Sequence, residues 1–257
     1  MSRRVVLLGG DGDSTRIVYH YLAPRFDELV AVVEDRVSRL ELARRRAKKM
    51  GWVTVCGQMA FVGLAMPVLK WSARDRIAHL LREFDLDVSE IPGVTSVDSV
   101  NSPATLELIR SLDPDVVVVN GTRIIAKSVL SGLDCVFVNT HSGITPRYRG
   151  VHGGYWALRE GRADLAGTTV HLIDAGIDTG GILAQACFET SPQDSIATYA
   201  YLHLACGLPL LAACVEKLLS GDQLEPVASL DESAASVLRS HPTLWDYLSA
   251  RATRHVR

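Results

Sequence analysis

Apolar residues in this chain fall into two kinds of run. The first kind is short and continuous. It comprises Val5–Leu8, Leu29–Val33, the four valines within Asp115–Asn120, and Cys135–Asn139. Such runs predict strands buried on both faces, as in a parallel sheet covered by helices. Asp115–Asn120 is the most hydrophobic and is expected at the centre. The second kind recurs at helical spacing. Ile17, Val18, Tyr21 and Leu22 follow the turn at Gly9-Gly10, with Asp13 or Ser14 placed to cap that helix. Further helices are predicted over Val37 to Met50, Ala73 to Phe84, Pro103 to Leu112 and Val151 to Glu160, with a short helix or turn at Ile124–Leu130. A long apolar helix runs from a cap at Asp194 to about Leu219. Shorter strands are expected at Val94–Val97, Thr168–Asp174 and Gly181–Phe188, the last two joined by a Gly-rich turn. Strand, turn, helix, strand, helix is the opening of a doubly wound sheet. After Pro226 the pattern weakens, with one small helix at Thr243–Ala250, and no internal repeat is visible.

One stretch breaks the pattern. Trp52 to Leu69 carries no charge and contains Gly57, Gln58, Gly63 and Pro67. Its 18 residues reach the lower limit for spanning a bilayer. A buried or oligomer-facing helix is the preferred reading, ahead of a membrane-surface contact. It opens an insertion-like segment, 52–92, within a domain expected to cover 1–225. Residues 226–257 form a short C-terminal extension.

Composition narrows the class. With 47% hydrophobic and 22% charged residues among 257, the chain is not disordered and can bury a core without disulfides or metals. A net charge of −2 supplies no global field for nucleic acid. The basic run at 44–49 reads as a solvated helix face. Five cysteines (Cys56, Cys135, Cys187, Cys206, Cys214) form no CxxC pair and no ligand spacing. They read as buried thiols in a reducing compartment, and no metal site is expected. Met1 to Gly10 is too short for a signal peptide, so a cytoplasmic location is expected.

Three segments could carry chemistry. Gly9-Gly10-Asp11-Gly12-Asp13-Ser14-Thr15 offers backbone N–H groups at a strand-to-helix turn, but its aspartates would repel a phosphate. At the end of the Cys135–Asn139 strand, Asn139 and His141 are two apart and point to one side of an extended backbone. An irregular loop with Pro146, Arg147, Tyr148 and Arg149 follows, at the strand end where α/β sheets place ligands. Finally, Asp174 and Asp178 flank a turn rich in glycine. Asp is common in turns, so a simple hairpin would also explain them. His171 falls inside a strand and reads as structural.

Together these segments resemble the folate-dependent formyltransferase family. Asn139-Thr140-His141 and Pro146-Arg147-Tyr148-Arg149-Gly150 match one part of its signature. Gly167-Thr168-Thr169-Val170-His171 and Asp178-Thr179-Gly180-Gly181-Ile182 match the other. The likeness is clearest over residues 115–190 and extends plausibly from 4 to 220. It implies an α/β fold, a Rossmann-like mostly parallel sheet of the formyltransferase type. It also implies a catalytic Asn139, His141 and Asp178, with 10-formyltetrahydrofolate as donor and an amine as acceptor. By the same resemblance the folate would lie against Arg123, Ile124 and Ile125, and against the turn Asp174, Ala175, Gly176 and Ile177.

The chemistry agrees with those roles. An amine attacking a formyl carbon places negative charge on oxygen, and a preorganised donor there is worth about 3–4 kcal/mol. Asn139 and a protonated His141 are suitable donors, and His141 suits the proton shuttle. Asp178 would favour the imidazolium or order a relay water. Gly10, Asp11, Gly12, Arg147, Tyr148, Arg149, His152 and Tyr155 are candidates for the acceptor side. The acceptor expected first is the amine of a small biosynthetic molecule such as an amino-sugar nucleotide. Phosphoribosylglycinamide is the alternative, although the β-turn loop is acidic where those enzymes bind phosphate. A tRNA acceptor is not expected, because only 32 residues follow position 225. No nucleic-acid partner is expected, and a homodimer stays open. A non-catalytic folate or nucleotide binder on the same fold is the reading from another class.

Overall fold

The computed structural model describes residues 3–36, 39–231, 233, 235–254 and 256. Its strands are β1 (Val5–Gly10), β2 (Leu29–Glu34), β3 (Thr95–Val97), β4 (Val116–Asn120), β5 (Val136–His141), β6 (Tyr148–Gly150), β7 (Gly167–Leu172), β8 (Ile182–Cys187) and β9 (Val237–Arg239). Seven form one sheet in the order β3-β2-β1-β4-β5-β7-β8. The neighbours from β3 to β5 pair in parallel, whereas β7 runs antiparallel to both β5 and β8. The four-valine strand β4 is central, as its composition requires. The formyltransferase-type α/β sheet expected from the sequence is therefore present.

Helices cover both faces, which is why the strands read as continuous apolar runs. They are α1 (Asp13–Leu22), α2 (Arg39–Met50), α3 (Trp52–Ala60), α4 (Met66–Ser72), α5 (Arg74–Glu83), α6 (Pro103–Leu112), α7 (Lys127–Leu130), α8 (Gly153–Arg159), α9 (Tyr199–Ser220) and α10 (Leu244–Arg254). A π-helical turn, Phe61–Ala65, joins α3 to α4. Alternate strand residues split between two cores. Val5, Leu7, Val116, Val118, Val138 and Val170 pack with residues of α1, α5 and α9. Val6, Leu8, Val117, Val119 and Phe137 pack with residues of α6 and α7 on the opposite face. The predicted helix over Val37 to Met50 is present from Arg39; Val37 itself lies outside the described residues.

Several local expectations are corrected. Neither Asp13 nor Ser14 caps α1. Gly12 precedes the helix, and the Ser14 hydroxyl instead accepts from Asn120 Nδ2 at 3.0 Å. Asp194 does not cap α9, which begins at Tyr199. Its carboxylate receives Ser191 N–H (2.8 Å) and a two-pronged contact from Arg76 (2.9 and 3.1 Å), so it ties α5 to the approach to α9. Burial opposes that charge, but the bonds from Arg76 and Ser191 hold the Asp194 carboxyl below its ordinary value. Among the cysteines only Cys214 is buried; Cys56 and Cys187 are exposed. The apolar stretch 52–69 is not core either. Val55, Gln58 and Phe61 face inward, while Trp52, Val53, Met59, Leu64 and Val68 are exposed.

Residues beyond Pro226 pack back onto the sheet layer. Strand β9 pairs with β6, and α10 lies against α3. Thr243 caps α10 by accepting from Asp246 N–H at 3.1 Å. His152 Nε2 and His241 Nδ1 meet at 2.9 Å, beside Phe61, and join this extension to α8. Burial lowers both imidazoles, His152 to about 3 with a further push from His241, and His241 to about 4 with a further push from Arg46.

This sets a direction for acid stability. An unfolded imidazole takes up its proton near 6.5, whereas these two resist it until about 3 and about 4. Between those limits the unfolded chain binds more protons, so stability falls as pH falls. The slope is up to about 1.4 kcal/mol per pH unit for each histidine. Urea unfolding at pH 7 and pH 5 should show the wild type losing stability and a His152→Asn/His241→Asn double variant losing less. A wild type indifferent to this change would contradict the burial assigned to the pair.

Candidate active site

The end of β5 carries the two polar residues singled out in the sequence. Asn139 and His141 lie within the strand, which runs two residues past its predicted end. The antiparallel register sets Asn139 opposite His171 and His141 opposite Thr169. Asn139 Nδ2 meets His171 Nε2 at 3.1 Å, and His171 Nδ1 meets the Leu172 carbonyl at 2.7 Å. A carbonyl only accepts, so Nδ1 carries the hydrogen and Nε2 accepts from the Asn139 amide. Burial lowers the His171 pKa, which keeps the ring in the neutral form this chain of bonds requires. His171 thus orients Asn139. The sequence reading made it structural; the cue available was its phase, two residues from Thr169 on the same strand face.

His141 is buried, and its Nε2 donates to the Tyr148 carbonyl at 2.7 Å. Nδ1 is left facing the Asp178 carboxylate, with Oδ2 at 3.5 Å. The other carboxylate oxygen is 3.8 Å from His171 Nε2. Asp178 stands in the left-handed region at φ 51 and accepts from Gly150 N–H at 2.8 Å. A non-glycine residue held there is a strained arrangement that its surroundings must enforce. Enforcement comes from both sides. Leu172 N–H closes the turn onto the Gly181 carbonyl at 2.9 Å, and Arg149 donates to the Ile177 carbonyl at 3.2 Å.

The loop after β5 is held from beneath. Thr168 Oγ1 donates to the His141 carbonyl (2.9 Å) and Thr169 Oγ1 to the Gly143 carbonyl (2.8 Å). Gln185 Nε2 reaches the Thr145 carbonyl at 2.9 Å. Gly150 has φ +94, and a Cβ there would sit 2.1 Å from the Arg239 carbonyl oxygen. Only glycine permits this approach, which lets β6 pair with β9.

The structure therefore brings Asn139, His141 and Asp178 together across 37 residues of sequence. Other candidates fare differently. Arg147 is turned away, bonding Glu160 (3.3 Å) and Ser233 (3.0 Å). The Tyr148 ring is fully buried with its hydroxyl on Glu160 at 3.0 Å. His152 is committed to His241, and Tyr155 is buried against Trp156 and Tyr247. Glu160 holds Arg147 and Tyr148, and the C-terminal extension supplies Ser233, His241 and Tyr247 to Arg147, His152 and Tyr155. Arg149 alone of that run reaches toward the Asp178 turn.

Gly10, Asp11 and Gly12 line a cavity of about 340 Å³ together with Arg16, Asp35 and Glu90. Asp11 also pairs with Arg36 at 3.0 Å. The Arg123 guanidinium is held by the Glu34 carboxylate and the Asp98 carbonyl (2.9 Å), which ties the ends of β2, β3 and β4 together. Ile124 is exposed and Ile125 is core. Asp174 accepts from Gly176 N–H (2.9 Å) and Thr179 Oγ1 (2.7 Å), so it shapes the turn it shares with Ala175 and Ile177. Among the described residues no group of three or more His, Cys, Asp or Glu side chains could hold a metal ion.

A strand-end Asn and His joined to an Asp from a Gly-rich turn, beside an antiparallel edge on a parallel sheet, define an α/β group-transfer scaffold. The family model described as Formyl transferase matches residues 68–203, and the chain belongs to this family. It is 30% identical over 159 residues to a methionyl-tRNA formyltransferase of Trichlorobacter lovleyi, which covers 61% of this chain and 50% of that protein. The chain spans about half the length of the curated relatives it matches. Glycinamide ribonucleotide transformylase 1 from Symbiobacterium toebii shares the fold, with a TM-score of 0.55 at 18% identity over 93% of this chain and 95% of that one. So does an N-formyltransferase from Helicobacter canadensis, solved with folinic acid and dTDP-3-aminofucose. Its TM-score is 0.54 at 16% identity, over 91% of this chain and 70% of that one.

Because Gly150 both abuts Arg239 and donates to Asp178, Gly150→Ala should destabilise the fold by about 2 kcal/mol or more. Urea unfolding measures it, and a variant as stable as wild type would mean that the β6–β9 contact is not retained in solution.

Proposed function

We propose that this chain transfers a formyl group from 10-formyltetrahydrofolate to the primary amine of a small biosynthetic molecule. The observation carrying this reading is the Asp178 carboxylate 3.5 Å from His141 Nδ1, with Asn139 oriented beside it by His171. The acceptor nitrogen attacks the formyl carbon and forms the new C–N bond. Negative charge gathers on the formyl oxygen, where the remaining Asn139 N–H can donate. The bond from the formyl carbon to the folate nitrogen then breaks. The proton lost by the amine passes to that leaving nitrogen, with His141 as carrier and Asp178 accepting from its Nδ1–H. The folate is assigned to the segments Arg123–Ile125 and Asp174–Ile177. Of these, the exposed Ile124 side chain and the turn backbone are the surfaces left to meet it, since Arg123 is spent on Glu34.

The acidic lining of the cavity beside β1 favours an amine-bearing acceptor over a bare phosphate there. Asp11, Asp35 and Glu90 outnumber Arg16 among its charged residues. An amino-sugar nucleotide is the acceptor class we favour, ahead of phosphoribosylglycinamide. Incubation with 10-formyltetrahydrofolate and a panel of amino-sugar nucleotides, phosphoribosylglycinamide and methionyl-tRNA, read by release of tetrahydrofolate, tests the assignment. Turnover with no amine present would identify a hydrolase instead. Tight folate binding without turnover on any acceptor would identify a binder.

Two side-chain changes follow from the geometry. His141→Ala and Asp178→Asn should each lower kcat by about 100-fold or more, with folate affinity retained. Either variant keeping near-normal kcat would remove that residue from the reaction. His171→Ala should lower kcat less and leave KM for folate nearly unchanged, because it orients Asn139 and borders Asp178 but is not assigned to the folate. A KM effect without a kcat effect would contradict that positioning role.

A further inference from the structure

The helical ridge Trp52–Ser72 presents to solvent a surface opposite to that of an ordinary outer helix. Its first 18 residues contain no charged side chain. On the inward side Val55 is buried, Gly57 abuts Trp245, Gln58 donates to the His241 carbonyl and Phe61 packs on Tyr247. The outward positions are Trp52, Val53, Met59, Leu64, Val68 and Trp71, with Val53 76% and Trp71 69% exposed. With the exposed Val62 between them, they make the outward side of the ridge apolar along its whole length. Trp245 and Leu248 of α10, each about half exposed, widen it. By length and composition this ridge and α9 are both apolar enough to cross a membrane. Yet α9 is the sheet's covering helix, half buried, whereas only 22% of the ridge's apolar window is buried. A continuous exposed apolar surface marks an interaction site.

Charge selects the occupant. The outward side begins and ends on tryptophan, and Trp52 and Trp71 stand about 28 Å apart at about 1.5 Å per helical residue. Cations lie beyond both ends. Exposed Arg44 and Lys48 sit on α2, which packs beside α3, and exposed Lys70 and Arg74 lie at the other end. Arg74 stacks over the Trp71 ring at 5.0 Å and also neighbours Asp75 at 3.7 Å. A second copy docking on this ridge would bring cations onto cations, whether the two helices ran parallel or antiparallel. An anionic bilayer meets both ends with opposite charge and accepts interfacial tryptophans between them.

We propose that Trp52–Ser72 is a membrane-surface helix, seating the protein on the headgroup layer of anionic phospholipid. The helix lies in the plane of the interface and does not span it, because its other face is packed against α10. Phe61, on that packed face, touches His152, so the seat adjoins the loop layer carrying Gly150 without using any residue assigned to catalysis.

Flotation of the whole protein with vesicles tests this. Equimolar phosphatidylglycerol and phosphatidylcholine vesicles should carry the protein up and shift its tryptophan emission to the blue. Pure phosphatidylcholine, or high salt, should carry much less. Leu64→Ser/Val68→Ser should lose partitioning about tenfold, from lost apolar burial. Lys70→Glu/Arg74→Glu should lose it selectively on the anionic vesicles. Circular dichroism and unfolding temperature equal to wild type confirm that each variant is folded. Failure to float on anionic vesicles overturns the proposal, as does flotation that Leu64→Ser/Val68→Ser leaves unchanged. If the unbound wild type sediments as a dimer that this variant dissolves, the ridge is a self-association face instead.

Discussion

The site depends on one reversal of strand direction. Five strands of the sheet, β3 to β5, run parallel, and then β7 enters antiparallel to β5. A parallel neighbour would need a crossover helix between the two strands. The antiparallel strand instead enters beside the end of β5, with Thr169 opposite His141, and runs back along it until Leu172 stands opposite Val138. That places His171 opposite Asn139 and delivers the turn bearing Asp178 directly onto His141. The turn after β7 folds back to reach the end of β5, so that the two meet at one rim.

Such a rim concentrates buried polar groups, and each one needs a partner. The arrangement meets that demand with groups from β7 and β8. Thr168 and Thr169 take up the carbonyls of His141 and Gly143, Gln185 supports Thr145, and Leu172 orients His171. The strained backbone at Asp178 is offset by the Gly150 hydrogen bond and the closing bond from Leu172 to Gly181. The Asp178 carboxylate thereby lies between two imidazoles, 3.5 Å from His141 Nδ1 and 3.8 Å from His171 Nε2.

The C-terminal extension supports the rim from outside. Pairing of β9 with β6 shapes the loop that donates to Asp178, and Glu160 gathers Arg147, Tyr148 and Arg239 beneath it. The same extension covers only one side of the ridge Trp52–Ser72. The chain thus joins a polar site, a basic and apolar outer surface, and a buried histidine pair.

Much of this architecture was legible in the sequence. Continuous valine, leucine and isoleucine runs announced strands covered on both faces, and helical spacing located most helices to within a few residues. Asn139 and His141 were legible because their residue types and strand-end position leave few other uses for them together, whereas Asp178 came only with the family resemblance. The fates of Arg147, Tyr148, His152 and Tyr155 were not legible. Polar and aromatic residues in a loop look alike whether they face a ligand or a partner such as Glu160 or His241 from far along the chain. The bond between His171 and Asn139 was not legible, because it is set by register, which pairs the two across the sheet. The stretch at 52–69 shows the same division. Its hydrophobicity is a property of sequence, but which face stays uncovered was decided by where α10 packs. Local patterns determine elements because they act over a few residues. Partners, exposure and the direction of a side chain follow from contacts between distant segments, and only the folded chain holds those.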